Sequence, residues 1–372
     1  MQVYVLDSSS LSPVHVIDSF ASLIWTKRYF SYGDFELYVP ASKDILKIIG
    51  ADSFIVRDDD SSVMVVEKIV LNTDAENGDY YIISGRSLES ILLRRVFRKQ
   101  FVCSDTTING AAQKMVTECQ KADAPSQTYR KISGLTVDTG HEFSANIQTQ
   151  FTGQTLLDGI ISLCRPLGIG IKMEISGTNL VVSFYRGEEK QVIFSPEFDN
   201  IISSQYALDT TKYSNVAYVA GEGEGSARKI SGVWAGTVNQ FSGLALREMF
   251  VDARDISSNN GEIETPEYYG MLTARGYEKL AENSVAQSFN ADIEPRVSFK
   301  YKTDYDLGDI VTVQNEYGIS ELTRIVEVIE SWDDTGYKCI PKYDSSEVSR
   351  VVLRDSQSYI LKDSDGYILA EG

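Results

Sequence analysis

Tyr305-Asp306-Leu307-Gly308-Asp309-Ile310-Val311-Thr312-Val313-Gln314 reads as a Gly/Asp turn that runs straight into a strand. A second turn follows at Glu316-Tyr317-Gly318, then a long strand over 322–331. Asp333-Asp334-Thr335-Gly336 closes a hairpin onto 337–341. An earlier segment echoes this grammar. Asp52 opens a strand through Phe54-Ile55-Val56, and Asp58-Asp59-Asp60 forms an acidic turn. A long strand covers 63–71, and Asp74-Ala75-Glu76-Asn77-Gly78 turns into Tyr80-Tyr81-Ile82-Ile83. Asp52 to Ile69 is 17 positions (69−52), and Asp309 to Ile325 is 16 (325−309). The matched cores are Lys68-Ile69-Val70 and Arg324-Ile325-Val326. Two such segments predict a duplicated β-module; generic hairpin spacing is the competing account.

The bulk numbers bound the rest. A chain of 372 residues with 42% hydrophobic content has room for several buried cores. Its net charge is −18, from 53 acidic against 35 basic residues. Such a chain does not grip a phosphate backbone, which requires Lys and Arg to release counterions. An acidic wall lets a polyanion slide past without sticking, although charge alone favours plain solubility. Cys103, Cys119, Cys164 and Cys339 are scattered without a Cys-x-x-Cys pair, which points to reduced thiols and no disulfide framework. Met1-Gln2-Val3-Tyr4-Val5-Leu6 alternates like a strand, so no signal peptide is expected. No stretch approaches the roughly 18–20 apolar residues of a membrane span.

Along the chain, residues 1–102 read as mostly β, ending in a short helix capped by Ser87 with Leu88, Ile91, Leu92 and Val96 on one face. Arg94, Arg95, Arg98 and Lys99 suit the end of that helix dipole better than a nucleic-acid patch. Residues 103–200 form an α+β insert. One helix follows Thr106 or Thr107 and buries Ile108, Ala112, Met115, Val116 and Cys119. A second follows Thr152, buries Leu157, Ile160, Ile161 and Cys164, and stops at Pro166 and Gly168. A hairpin then turns at Ser176-Gly177-Thr178-Asn179. Residues 201–235 and 291–345 read as a second, split β-domain, with a strand over 206–220. Residues 236–290 form a helical insertion, its helix capped by Thr265 with Pro266 in the first turn and Tyr269, Leu272 and Leu280 inward. In the tail, 346–372, Leu353-Arg354-Asp355-Ser356-Gln357-Ser358-Tyr359-Ile360 repeats as Leu361-Lys362-Asp363-Ser364-Asp365-Gly366-Tyr367-Ile368, a shift of 8 (361−353). Two such units cannot bury a core alone.

The chemical motifs dissolve on inspection. Asp138-Thr139-Gly140 resembles an aspartic-protease motif, but that chemistry needs two carboxylates sharing a proton, and the motif occurs once. Gly221-Glu222-Gly223-Glu224-Gly225 lacks the Lys-Ser/Thr of a phosphate loop, and its glutamates repel phosphate. Asp363-Ser364-Asp365-Gly366 fails the EF-hand register, since Gly366 at the sixth position puts Leu361 at the first. The only histidines, His15 and His141, have no ligand cluster nearby, so no zinc site is expected. A Ser-His-Asp hydrolase would need one of them, and no Gly-x-Ser-x-Gly elbow occurs. No segment singles out a glycosidase pair of carboxylates. No catalytic, cofactor-binding or metal-binding residue is assigned, and no cofactor is expected.

Several stretches carry a family resemblance. Phe30-Ser31-Tyr32-Gly33-Asp34-Phe35-Glu36-Leu37-Tyr38-Val39-Pro40 resembles the opening of siphophage tail-hub proteins. Ser84-Gly85-Arg86-Ser87-Leu88 with Leu92-Leu93-Arg94-Arg95 resembles a following motif. Val219-Ala220-Gly221-Glu222-Gly223-Glu224-Gly225, Phe250-Val251-Asp252-Ala253-Arg254 and Asp304-Tyr305-Asp306-Leu307-Gly308-Asp309-Ile310-Val311-Thr312-Val313 continue it in family order. The likeness spans about residues 1–345 of the sequence. It extends to the N-terminal part of tail-associated lysins and to the hubs of contractile baseplates.

The resemblance implies an α+β, mainly β fold: two tube-type antiparallel β-barrel domains with peripheral α/β insert domains. It implies a homotrimer whose six barrels adapt a sixfold tail tube to a threefold tip and form a channel for DNA release. The interface residues stay unassigned. Strands over 310–313 and 322–329 are expected to line or support the ring. Implied partners are the tail tube and distal tail proteins, the tape measure protein and tail fibre or tip proteins. DNA would pass without specific binding, and the protein, made in the host cytoplasm, would reside in the virion tail tip. A cell-wall-degrading tail lysin and a host-receptor or carbohydrate-binding tail protein are the alternatives; the 21 tyrosines that favour the latter are spread along the chain. The tail 346–372 stands where lysin-bearing members carry an enzyme or fibre domain. Its deletion is expected to impair particle assembly or infectivity; unchanged particles with full infectivity would remove any assembly role for the repeat.

Overall fold

The computed structural model describes residues 1–344 except 8–9, 43, 74–77, 125–126, 197–200, 294–298, 316 and 318–319. The turns expected at 74–78 and 316–318 fall mostly outside these residues, and the tandem repeat at 353–368 wholly so. The first β-module comprises β1 Val3–Leu6, β2 Pro13–Ile17, β3 Ser22–Arg28, β4 Asp34–Pro40, the one-turn α1 Ile45–Ile48, β5 Phe54–Arg57, β6 Asp60–Asn72 and β7 Tyr80–Ser87. An insert follows with a 3-10 helix Leu88–Arg94, β8 Phe101–Thr107, α2 Ile108–Gln120, β9 Leu135–Val137, β10 Ser144–Phe151, α3 Leu156–Cys164, β11 Gly170–Ser176 and β12 Asn179–Tyr185. β13 Glu189–Phe194 and β14 Ile201–Asp209 precede a second insert of β15 Val216–Ala220, β16 Ile230–Trp234, β17 Glu248–Asp252 and α4 Thr265–Glu282. β18 Ala286–Ile293, β19 Ile310–Gln314, β20 Ser320–Asp333 and β21 Gly336–Asp344 complete the described chain.

Strict alternation makes the first module a curled sheet. Phe35, Leu37 and Val39 of β4 point to one side with Leu23 and Trp25 of β3, Met64 and Val66 of β6, and Tyr81 and Ile83 of β7. Val3, Val5, Ile17 and Ile55 join the same core, so β1 to β7 all wrap around it. A second core gathers Val192 and Phe194 of β13, Val311 and Val313 of β19, Ile325 and Val328 of β20, and Cys339 and Tyr343 of β21. Both belong to one eleven-stranded sheet, ordered β13-β19-β20-β3-β4-β7-β6-β5-β1-β2 with β21 on the other edge of β20. The fold is thus mainly β. Among the described residues no ladder joins the end strands β13 and β2, so the two expected barrels appear as two curled halves of one sheet.

The two halves repeat a hydrogen-bonded frame. In the first, Val66 N–H donates to Ser53 O at 2.9 Å and Asp52 N–H to Val66 O at 2.8 Å. In the second, Ile325 N–H donates to Asp309 O at 2.9 Å and Gly308 N–H to Ile325 O at 2.8 Å. Asp52 and Gly308 both have positive φ, 66° and 95°. A bulge follows at once in each long strand, between Val66 and Lys68 and between Ile325 and Glu327. The true counterparts are therefore Asp52 with Gly308 and Val66 with Ile325. The pairing of Ile69 with Ile325 expected from spacing is three residues out, because the connection between β19 and β20 is longer than that between β5 and β6.

The inserts have their own cores. α2 and α3 pack Met115, Cys119, Leu157 and Ile160 against β9 to β12, and this core reaches Val63 and Val65 of β6. Thr107 caps α2 by accepting from Gly110 N–H at 3.0 Å. Thr155, not Thr152, caps α3. The short helix expected after Ser87 is the 3-10 helix Leu88–Arg94, but Ser87 Oγ makes no cap bond to it and instead accepts from Gly33 N–H at 2.7 Å. In the second insert α4 lies on β15, β16 and β17, burying Tyr268, Met271 and Leu272 against Ala217, Val219 and Val233. Its N-cap is Glu264 rather than Thr265, and Tyr268 rather than Tyr269 points fully inward. Two placements differ from the sequence reading. Residues 216–234, expected with the second β-domain, pair with β17 in a separate sheet. β13, expected in the first insert, pairs in parallel with β19.

Gly308 bears directly on this frame: a Cβ there would lie 2.3 Å from Tyr29 Cε2, at a φ of 95° that side chains avoid. Gly308→Ala is expected to lower the urea midpoint by the equivalent of about 2 kcal/mol or more, against about 1 kcal/mol for Gly225→Ala in open space.

Candidate functional site

The fold gathers a network of buried charge at the joint between the two β-modules. β20 is long enough to pair twice along one edge. Its residues 320–324 pair with β19, and after the bulge residues 327–332 pair with β3, from Glu327 opposite Arg28 to Trp332 opposite Leu23. The bulge aims the strand, since Val326 O accepts from Tyr29 N–H at 2.9 Å.

Arg57 lies at the centre. Its side chain has no exposed surface, and its guanidinium stacks between Trp332, 4.1 Å to the ring centroid, and Trp25, 5.3 Å. It donates to Asp59 at 2.8 and 2.9 Å and to Glu330 at 3.1 and 3.3 Å. Burial opposes its charge, yet Asp59 and Glu330 hold its pKa above the ordinary arginine value. Asp60 sits beside it, contacted by Lys27 from β3 and by Lys302 from the second module, both at 2.6 Å. Burial alone would raise its pKa; the two ammonium groups and Ser62 bring it well below the usual carboxylate range. Arg28 adds an outer clamp, reaching Asp34 and Glu327 at 2.5 Å each. Six of these charged residues, Lys27, Arg28, Asp34, Arg57, Asp59 and Asp60, come from the first module, and Lys302, Glu327 and Glu330 from the second. Removing one member of such a buried set typically costs about 3–5 kcal/mol, because it strands the other charge.

A cleft of about 660 Å³ opens beside the joint, where β11 and the loop after β12 approach it; Lys27, Asp60, Lys172, Glu174, Lys302 and Asp309 are among its lining residues. Ser61 Oγ donates to Glu174 at 2.8 Å across it. Glu89 is buried at its base, where its carboxylate takes Met173 N–H at 2.7 Å and the Ser87 hydroxyl. Burial pushes the Glu89 pKa up against those two bonds. The contacts tie the insert to the joint rather than presenting a nucleophile. Among the described residues no group of three or more His, Cys, Asp or Glu side chains converges as a metal site, and no helix is long and apolar enough to cross a membrane.

The sequence motifs fall elsewhere. Asp138 follows β9 and its carboxylate accepts from Gly140 N–H at 3.0 Å, a local turn. His15 lies on exposed β2, and His141 packs edge-on to Phe143. Glu222 of the glycine-rich stretch is held by Lys229 at 2.7 Å and by Ser258, which lowers its pKa to about 2. Arg94 and Arg98 of the basic cluster pair with Asp52 and Asp123, and Arg95 donates to Arg130 O. All four cysteines are buried free thiols; burial pushes Cys103 up to about 11 and Cys119 to about 12. Sequence reading missed the joint. Asp59 and Asp60 were legible only as a turn, and nothing local links them to Lys302 or Glu330.

The sequence profile of the Siphovirus ReqiPepy6 Gp37-like protein family matches residues 2–342, and the chain belongs to that family of siphovirus tail proteins. The fold is similar to the 43 kDa tail protein of prophage MuSo2 from Shewanella oneidensis, at 15% identity and a TM-score of 0.56 over 92% of this chain and 98% of that one. It is similar also to the tail protein from Neisseria meningitidis MC58, at 12% identity and a TM-score of 0.55 over 92% and 95%. Prophage tail protein gp18 from Listeria monocytogenes EGD-e gives 12% identity and a TM-score of 0.55 over 94% and 96%. At these identities the likeness concerns fold alone. No curated protein sequence matches the chain.

The sign of the pH dependence at the joint follows from Asp60. A carboxylate with a depressed folded pKa adds stability that is complete above its unfolded value of about 4 and fades as pH falls through the folded value. Wild-type stability is therefore expected to drop from about pH 5 towards pH 2, and Asp60→Asn to be less stable at pH 7 with a shallower acid limb. Urea titrations at four or five pH values give the comparison; parallel curves would mean that Asp60 is not the group titrating.

Proposed function

We propose that this siphovirus tail protein is a structural, non-catalytic hub: a homotrimer whose six β-modules form a ring that adapts a sixfold tail tube to a threefold tip. The observation that carries this reading is the joint. Each chain supplies two modules with separate cores and a repeated frame, welded side by side by β20 on β3. Three such chains give six modules in a ring, with two alternating kinds of seam. The module boundaries we propose follow the cores: a first module over β1 to β7, a second over β13, β14 and β18 to β21, and two peripheral inserts.

On this reading the channel wall is the face of β3, β4, β6, β7, β20 and β21 turned away from the two cores. Its charge is mixed: Glu36 and Glu327 stand there against Lys68, Lys338 and Lys342. The acidity of the chain as a whole thus does not describe this wall, and passage of DNA would rest on balanced charge rather than on uniform repulsion. The tube, distal tail, tape measure and fibre or tip proteins are the proposed neighbours, at the tail tip of the virion.

Light scattering on the purified protein at low and moderate salt tests the trimer. The expected mass is 3 × 41.4 kDa, or 124.2 kDa, with association strengthened by salt that screens a chain of net charge −18. A monomer under every condition, including concentrated protein, would count against a self-assembling hub.

A further inference from the structure

The second insert carries an open aromatic face that the hub reading does not use. α4 covers one side of the sheet β16-β15-β17, where Ala217, Val219, Val233 and Val251 are buried. Strand alternation therefore turns Tyr218, Ile230, Gly232 and Phe250 to the other side. The motif Phe250-Val251-Asp252-Ala253-Arg254 divides the same way: Val251 and Ala253 join the core with α4, and Phe250, Asp252 and Arg254 are exposed. Gly232, Tyr218 and Phe250 stand side by side in register across the three strands. Phe250 is 62% exposed, Ile230 48% and Tyr218 37%. Gly232 makes room for the tyrosine. A Cβ there would lie 3.7 Å from Tyr218 Cε1 and 3.8 Å from Cδ1, so the ring leans over the bare backbone of β16.

The rim of this face is charged but balanced. Asp252 accepts from Arg228 and from Arg254, each at 2.6 Å, and Glu248 accepts from the Tyr218 hydroxyl at 3.1 Å. The Arg228 guanidinium is held further by Ala220 O at 2.9 Å and Gly221 O at 3.1 Å, and lies 5.5 Å from the Phe250 ring centroid. Glu248 and Asp252 against Arg228 and Arg254 leave the rim neutral, within a chain of net charge −18. Arg228 and Arg254 each keep one terminal nitrogen, Nη1, without a partner among the described residues. Fixed donors and carboxylates beside bare rings suit a ligand with hydroxyls on its edge and C–H groups on its faces.

We propose that this face binds a neutral polysaccharide, stacking its pyranose rings on Tyr218 and Phe250 while Arg228, Arg254 and Glu248 hydrogen-bond its hydroxyls. The proposal goes beyond the hub reading and does not depend on the trimer. A polyanion gains little here, because attraction at long range needs uncompensated charge and both guanidinium groups already face Asp252. A protein partner fits poorly too. At about 200 Å² for a whole aromatic side chain, the exposed parts of the two rings and Ile230 offer about 300 Å² on the sheet. A stable protein interface takes about 800 Å² from each partner and keeps charge away from its centre, whereas Glu248 and Asp252 stand two residues either side of Phe250 on its own strand. A short run of sugar rings matches both the size and the polar rim.

Calorimetric titration of the full-length protein with four neutral oligosaccharides, the tetramers of N-acetylglucosamine, β-glucose, α-glucose and mannose, tests this. Saturable binding of at least one is expected, with a dissociation constant of about 1 mM or tighter. Phe250→Ala and Tyr218→Ala are each expected to weaken it by about tenfold or more with unchanged melting, because both rings are already exposed. Gly232→Leu keeps both rings but raises a side chain beside them, and is expected to weaken binding as much. Val14→Ala, 60% exposed on β2 of the first module, is the control and is expected to change nothing. Absence of binding to all four sugars, or binding indifferent to the three substitutions, would overturn the proposal and leave the hub reading standing. Tighter binding of polyphosphate, lost in Phe250→Ala, would overturn it by making the ligand a polyanion. A fall in the light-scattering mass of Phe250→Ala would overturn it by making the face a contact between copies of the chain.

Discussion

The bulge at Val326 is the constraint on which the rest of the architecture depends. An antiparallel strand normally serves one partner along each edge. By inserting one residue, β20 bends away from β19 and presents six further residues to β3. Two curled sheets, each with its own core, thereby become one continuous sheet. The buried charges are arranged around this fact. Arg57 and Glu330 belong to different modules and are far apart in sequence, so their pairing is satisfied only when the strands are joined in register. Buried ion pairs are poor sources of net stability but penalise wrong alternatives heavily. A slip of one residue would turn Glu330 away from Arg57 and leave the buried guanidinium with Asp59 as its one carboxylate partner, which makes the network a register device more than a source of affinity.

Tyr29 connects this joint to the insert. It is fully buried, and its ring fills space that only glycine leaves open at positions 170 and 308. Its hydroxyl lies 3.0 Å from Gly168 O and 3.1 Å from Tyr185 O and accepts from Gly187 N–H at 3.3 Å. One side chain of the first module thus contacts the insert and the turn that opens β19. The glycines at 308 and 170 are read more fully as clearance for this ring than as turn punctuation. Their small size is a packing requirement, and the positive φ of Gly308 is an added one.

The sequence made the β-modules legible because hairpins are local. Alternation in Phe35-Glu36-Leu37-Tyr38-Val39 and the runs around β19 to β21 give strands and faces directly. The helices α2 and α4 were legible for the same reason. Cap positions were less so: Ser87 and Thr265 have suitable side chains, but Ser87 is recruited by Gly33 and Glu264 takes the extended conformation before α4. The duplication was visible as an echo but misaligned, since spacing counts residues through loops whereas the hydrogen-bond frame counts only paired positions. The joint was not legible at all. Lys27, Arg57, Asp60, Lys302 and Glu330 are ordinary charged residues in a chain with many, and only tertiary pairing makes them a site.

A duplicated module inside a single chain has a consequence for symmetry. If both seams of a sixfold ring were identical, nothing would distinguish chain boundaries from internal joints, and a threefold tip would have no marks to recognise. Here the joint inside the chain is ionic and buried. The inserts reinforce the difference, since the first follows β7 and the second interrupts the path from β14 to β18. They fall at different points of the repeated frame and so cannot be related by the pseudo-twofold repeat of the modules. On the proposed hub reading, a ring built from such chains would keep a nearly sixfold wall and display threefold decoration. That is what the proposed role, matching a sixfold tube on one side and a threefold tip on the other, would require.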